Sequence, residues 1–335
     1  MARLPITRCR RVARGFSLIE LLVSITIGLV VVIAAMSAYL GSADASKAAD
    51  AQARMNEDAQ AALNLLTQQL RLAASNPVNA GRADAFRHNP VFDTTYIGGT
   101  TTAYGSTTTI VFGSASYTLT PMAIVGCDGT FGSITTTTGL LGLGCTTDAT
   151  KPDSVAVSYE ADRYNTQATA GGLPTDCVGG TLPQVTATFP SSTPTTATWA
   201  VADNRFYIAN ASNGVPNLYC KGRVSNTQPM VENVEDLQLR YGVISTTAVD
   251  STATVAGYLD ASGVEGLSAL AARADRWGKV LTVRICVVVR SENPVAPDTT
   301  SASYVKCDGN VDTSKTDLRL RRAYSTTVVL RNRRS

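Results

Sequence analysis

The sequence predicts an α+β fold: a long N-terminal α-helix, transmembrane in its first half, packed on a C-terminal head of antiparallel β-sheet. Three observations carry that expectation. Leu21 to Ala43 is a run of 23 residues without a charged side chain, long enough to cross a bilayer core as helix. Residues 44–75 continue in Ala, Gln, Leu and charged residues, with neither Pro nor Gly. From about residue 91 the pattern changes to short β-type runs separated by Gly, Pro and Asp.

Within the helix, Met55, Ala59, Ala62, Leu66, Leu70 and Ala73 recur every three or four residues. That spacing lays one apolar stripe along one face, and the stripe is expected to carry the sheet. Asn76-Pro77 is the expected stop, because a residue before Pro disfavours the α region. Gly28 and Gly41 are where the helix is expected to bend or loosen. Expected strands are Thr108–Phe112, Met122–Val125, Ser154–Tyr159, Arg205–Ala209, Leu237–Tyr241, Val280–Arg290 and Tyr324–Leu330. Leu237, Leu239, Tyr241 and Val243 alternate with Gln238, Arg240 and Gly242, which marks a half-buried strand. Val280–Val289 reads as a central strand, with a short helix from Leu267 to Trp277 before it. The Thr-rich stretches 94–109, 135–138 and 186–198 read as loops or edge strands.

The residues ahead of the helix say what it is for. Arg3, Arg8, Arg10, Arg11 and Arg14 precede Gly15 with no acid among them, which assigns that end to the cytoplasm. Glu20 is a carboxylate set at the edge of the apolar segment, and an ionisable group there is a functional hypothesis by default. A secretory signal cut after Ala35-Met36-Ser37 or Gly41-Ser42-Ala43 would have an apolar stretch of roughly 7–15 residues. This stretch is longer and holds Glu20. A cut at Gly15–Phe16 keeps the helix in the mature protein. The unbroken run Gly15-Phe16-Ser17-Leu18-Ile19-Glu20 resembles the processing motif G-F-[ST]-L-[IVL]-E of the type IV prepilin family.

That resemblance implies a type IV pilin-like fold with residues 1–15 as a cleaved leader, 16–43 as the transmembrane and assembly half of the helix, 44–76 as its amphipathic half, and 77–335 as the head. It implies a prepilin peptidase as partner, cutting between Gly15 and Phe16, and N-methylation of the new Phe16 amine. It also implies that Glu20 of one subunit lies beside the Phe16 amine of the next, setting register in the assembly. The implied location is the bacterial inner membrane, N-terminus cytoplasmic and head periplasmic, then the pilus at the cell surface after assembly.

A second resemblance lies in the head. Met230-Val231-Glu232-Asn233-Val234-Glu235-Asp236-Leu237-Gln238-Leu239-Arg240-Tyr241-Gly242-Val243 is similar to the V-E-[GN]-V-E-x-L-Q-x-x-Y-G-V segment of the PilW family of minor pilins. Phe206-Tyr207-Ile208, Leu218-Tyr219-Cys220 and Trp277 before Val280-Leu281-Thr282-Val283-Arg284 follow in the same family order. The family often has an acid just after Y-G-V. Ile244 stands there in this chain, so no polar or ion-binding role is expected of that loop. The resemblance implies a minor pilin that joins other minor pilins and the major pilin in a priming or tip complex. A minor pseudopilin of a type II secretion system shares the processing motif, and a tip-exposed adhesin or DNA-binding pilin is a further reading.

Composition fits an extracytoplasmic head. Losing the leader removes five of 29 basic residues and leaves 24 against 26 acidic, a net charge of −2. That balance gives no overall field for nucleic acid. Arg319, Arg321, Arg322, Arg331, Arg333 and Arg334 concentrate positive charge near the C-terminus, and read either as a phosphate-binding cluster or as a solvated strand face. Cys9 goes with the leader, leaving Cys127, Cys145, Cys177, Cys220, Cys286 and Cys307. An even number in a translocated domain favours disulfides. Fifteen pairings exist, and pairing of sequence neighbours is expected because each bridge would staple a local loop. No C-x-x-C spacing suggests a metal instead.

An enzyme is not expected, and no cofactor is called for. His88 is the sole histidine and sits in a turn-like stretch before Asn89-Pro90. Neither a G-x-S-x-G elbow nor a P-loop occurs. Asp308-Gly309-Asn310-Val311-Asp312 has a calcium-like alternation but lacks the Gly and the distal Glu of an EF-hand, so it reads as a turn.

Overall fold

The computed structural model describes residues 17–75, 108–112, 115–119, 122–135, 139–146, 148, 150–189, 195–224, 226–245, 254–270 and 272–332. The chain divides into two compact units, residues 1–50 and 51–335. Helix α1, Leu18–Leu72, begins in the first unit and ends in the second.

In the first unit every side chain from Ser17 to Ser42 is exposed, including Ile19, Leu22, Ile25, Leu29 and Ile33. The helix is unbroken through Gly28 and Gly41, where nothing packs against the open Cα. Backbone hydrogen bonds alone carry it past both glycines.

In the second unit the same helix is amphipathic. Met55, Ala59, Ala62, Leu66, Leu70 and Ala73 are all at most 3% exposed, and they belong to one hydrophobic cluster with Ile124, Val157, Leu239 and Ile285 of the sheets. The helix closes at Ala74, which turns into the left-handed region at φ 60°, while the N–H of Ser75 reaches back to the Leu72 carbonyl at 2.7 Å. The N–H of Ala74 donates to the Ser158 carbonyl, and the Ser75 carbonyl accepts from Glu160. The stop therefore falls short of Asn76-Pro77, because the chain is captured by a strand before Pro can act.

The strands follow in chain order: β1 Thr108–Phe112, β2 Ala115–Leu119, β3 Ile124–Cys127, β4 Ser154–Ala161, β5 Gln184–Phe189, β6 Thr195–Asn210, β7 Pro216–Lys221, β8 Gln228–Glu232, β9 Val234–Val243 and β10 Gly257–Leu259. Helices α2 Ala261–Glu265 and α3 Arg273–Gly278 come next, then β11 Val280–Arg290, β12 Tyr304–Val305, β13 Val311–Asp312 and β14 Arg321–Val329. One sheet has the order β3-β4-β6-β7-β8, with β5 on the distal part of β6; the other runs β10-β9-β11-β14. Every pairing in both is antiparallel. The ribbons β1-β2 and β12-β13 stand apart from them.

The Thr-rich residues 186–189 lie in β5 and 195–198 open the 16-residue β6, where the two pair only with each other, so Thr takes its β-branched preference in the edge strands the composition allowed. Two elements differ from the sequence reading. Strand β3 starts two residues later than expected, at Ile124. The helix expected over Leu267–Trp277 is shorter, α3 at Arg273–Gly278, and a further short helix, α2, precedes the expected span at Ala261–Glu265. Asp260 caps α2 through its side chain, accepting from Gly263 at 2.8 Å, and Gly266 ends it.

Asn233 and Asp153 both join the two sheets. Between β8 and β9 only Asn233 intervenes, with φ 60°, a conformation Asn tolerates better than most residues. Its carbonyl accepts from Arg290 at 3.0 Å. Asp153, the residue before β4, donates its N–H to the Leu237 carbonyl, and its carboxylate accepts from Leu239 at 2.7 Å and Gly129 at 3.3 Å. Burial outweighs those two donors and pushes the Asp153 carboxyl up to about 7.

Because the folded state holds that proton more tightly than the unfolded chain does, the linked stability is complete below pH about 4 and is lost as pH rises through about 7. Thermal melts of the full-length protein should therefore show a stability component that falls between those limits. Asp153→Asn, neutral throughout, should flatten it; an unchanged slope in that variant would show that Asp153 does not titrate in this range.

Candidate functional site: the assembly helix and the head framework

Two regions carry the motifs, and they work by different physics. The first is the start of α1. Glu20 lies in its first turn, with exposed Leu18, Ile19, Leu21 and Leu22 around it. The hydroxyls of Ser24, Thr26 and Ser37 donate to carbonyls three or four residues back, at 2.7 to 2.9 Å. These three hydroxyls are thereby satisfied within the helix, which lowers the cost of placing them in apolar surroundings. Glu20 is different, since among the described residues no Lys, Arg or His precedes Lys47. Gly15 and Phe16 lie outside the described residues, as does His88.

The second region is the framework of the head, where the motif of residues 230–243 turns inward. Val234, Leu237, Leu239 and Tyr241 of β9 are at most 2% exposed. Glu235 accepts from Arg321 of β14 at 2.6 Å and from Lys315 at 3.1 Å, and Asp317 holds the other side of the Arg321 guanidinium at 2.7 Å. The Arg321 hydrogen bonds keep the Asp317 carboxyl at about 2. Gly242 is bare because a Cβ there would sit 2.2 Å from the Thr282 hydroxyl. Ile244 is buried, and its N–H donates to the Lys279 carbonyl.

Tyr241 is the pivot of this region. Its ring meets Trp277 of α3 edge-on, with centroids 4.9 Å apart. Its hydroxyl lies over Gly126 of β3, where an added Cβ would come within 1.8 Å. Among the described residues it has no hydrogen-bond partner, and full burial raises its pKa well above the ordinary tyrosine value. Trp277 in turn donates to Glu265 at 2.9 Å, and Arg273 joins Glu265 to the carbonyls of Leu141 and Leu143. One Tyr–Trp–Glu–Arg chain thus connects β9, both short helices and the 139–146 segment.

Disulfides join Cys127 to Cys145, Cys177 to Cys220 and Cys286 to Cys307, closing spans of 18, 43 and 21 residues. They fasten the 139–146 segment to β3, the 162–182 loop to β7 and the 291–320 excursion to β11. Each contributes roughly 2–4 kcal/mol, chiefly by restricting the unfolded chain.

The C-terminal arginines do not share one face. Arg319 donates to the Ser291 carbonyl and pairs with Asp317, Arg321 is buried in its two ion pairs, and Arg322 lies over the Tyr324 ring. Arg331 is exposed, and Arg333 and Arg334 lie outside the described residues. Residues 306–309 form a turn with Gly309 at φ +85°, and Asp308 accepts from the Asn310 N–H, which holds its carboxyl down at about 2. Among the described residues no group of three or more His, Cys, Asp or Glu is placed to hold a metal ion. Asp153, Glu265 and Gly126 are the framework residues that sequence reading missed. Each acts on a partner more than ten residues away.

Gly126→Ala should destabilise the head by about 2–3 kcal/mol through overpacking against Tyr241, read as a lowered denaturant midpoint. Tyr241→Phe removes an unpartnered buried hydroxyl and should be neutral or stabilising.

Residues 205–332 match the family described as Type IV Pilus-assembly protein W. Residues 10–36 match the prokaryotic N-terminal methylation motif. No curated protein and no solved structure matches the chain.

Proposed function

We propose that this assembly-related pilin, whose residues 205–332 match the Type IV Pilus-assembly protein W family and whose residues 10–36 match the methylation motif, acts as a minor pilin in a priming or tip complex. The observation that carries this reading is the occurrence of both matches in one chain. The motif supplies a retained membrane helix, and the head supplies a framework particular to one class of pilus component. The same pairing favours pilus assembly over type II secretion.

The mechanism is association. Prepilin peptidase cuts between Gly15 and Phe16, and the new amine of Phe16 is methylated and stays positive. The helix keeps its place in the inner membrane, with the arginine-rich side cytoplasmic and the head periplasmic. Its uniformly apolar surface gains little by choosing one helix neighbour over lipid, so packing alone does not set register. Glu20 does. An unpaired carboxylate in hydrocarbon is costly, and breaking a buried ion pair costs about 3–5 kcal/mol. A neighbour whose Phe16 amine meets Glu20 is therefore held in register with other minor pilins and the major pilin.

Glu20→Val should leave membrane insertion intact and sharply reduce co-purification of partner pilins from solubilised membranes. Mass spectrometry of the mature protein should find methylated Phe16 as its first residue. A terminus beyond Ala43, or undiminished recruitment by the Val variant, would overturn the mechanism.

A further inference from the structure

Among the described residues a recess of about 550 Å³ opens between the end of α1, the 162–182 loop and strand β8. Its size suits a small ligand. Its lining is unusual in being rich in primary amides, from Gln68, Gln69, Asn165, Gln167 and Gln228. No Lys, Arg or His lines it, and its one carboxylate, Asp176, is buried and engaged by the N–H groups of Val178, Gly180 and Val224.

The walls are fixed before any ligand arrives. Gln69 accepts from Asn204 at 2.8 Å, and Asn204 also donates to the Tyr159 hydroxyl at 3.1 Å. Asn165 is held by Asp162 and the Glu160 carbonyl. The Cys177–Cys220 bridge anchors the loop. In contrast, the side-chain amides of Gln68, Gln167 and Gln228 make no hydrogen bond to another described residue. Each amide offers donors and an acceptor together. At the rim, Tyr164 is 77% exposed. Its hydroxyl accepts from Arg163, whose guanidinium covers one ring face at 4.9 Å, which leaves the other face open.

We propose that this recess binds a neutral saccharide, a short run of uncharged or N-acetylated sugar units. Vicinal hydroxyls both donate and accept, which is what free amides require, and the C–H face of a pyranose stacks on an open aromatic ring. An anionic ligand would find no cation in the lining and one carboxylate, with Arg163 at the rim turned onto Tyr164. An apolar ligand would strand the amides. An added peptide strand would meet Pro229 in β8, which lacks an N–H. This site stands on the head alone and does not rest on the pilus reading.

The test uses the full-length protein in lipid nanodiscs, so that no sugar-headed detergent competes. One arm presents β-1,4-linked N-acetylglucosamine oligomers of the cell-wall type. A second presents neutral galactose-, mannose- and glucose-based oligosaccharides of the surface type, and an acidic-glycan set serves as contrast. At least one neutral arm should bind. Gln68→Ala and Tyr164→Ala, both on exposed side chains, should each weaken it about tenfold with melting temperature and partner-pilin recruitment unchanged. No neutral binding up to millimolar concentration, a preference for acidic glycans, or binding indifferent to both variants would overturn the proposal. Failure of the pilus reading would appear separately, as lost recruitment in the unmodified protein.

Discussion

The contact between one stripe of α1 and the two sheets is the constraint on which the head depends. Neither sheet has a core of its own: β4, β9 and β11 present Val157, Leu239 and Ile285 to a common interior that also contains Leu66 and Leu70. Burying a leucine side chain contributes on the order of 2 kcal/mol, and five helix positions, with Ala73 just beyond them, are committed to that interior. The sequence changes character at Asp44 for this reason. From Leu21 to Ala43 the helix is uncharged, with every side chain up to Ser42 exposed, the composition of a membrane anchor. Beyond it, a single face must be apolar and the rest must face water.

Features that repeat with a local period were legible from the residues. The stripe at three- and four-residue spacing, the alternation in β9 and the apolar run of β11 each follow from the geometry of one element. What escaped was long-range. Asp153 reads as a turn acid after Pro152, and only the arrival of Leu239 and Gly129 makes it a seam between sheets. Gly126 looks like strand punctuation until Tyr241 is placed over it. The unforeseen helix α2 did have a local signal, Asp260 as a cap with Gly266 after its last residue. The stop at Ala74 had none, because the capturing carbonyl belongs to Ser158.

Framework and recognition are separable in this head. The most distinctive side chains of the 230–243 segment are occupied inside, Glu235 with Arg321 and Lys315 and Tyr241 with Trp277, and Ile244 just after it lies in the core. Likeness to the family over residues 205–332 is therefore likeness of scaffold. A scaffold whose salient groups point inward leaves little chemistry on its own surface to distinguish one partner from another. Discrimination has to come from segments hung on it.

The 162–182 loop is such a segment, and it lies ahead of the matched region. It is held at two levels: Asp162 and Asp176 organise its backbone by accepting from N–H groups, and the Cys177–Cys220 bridge ties it to β7. Disulfide anchorage lets a long loop vary in its exposed side chains without loosening the sheet beneath, because the entropy of ordering it is largely removed in the unfolded chain. A loop fixed so firmly, with Tyr164 turned outward and free amides beside it, has been given rigidity that the fold itself does not need. Rigidity of that kind is useful where a ligand must be met without further ordering cost.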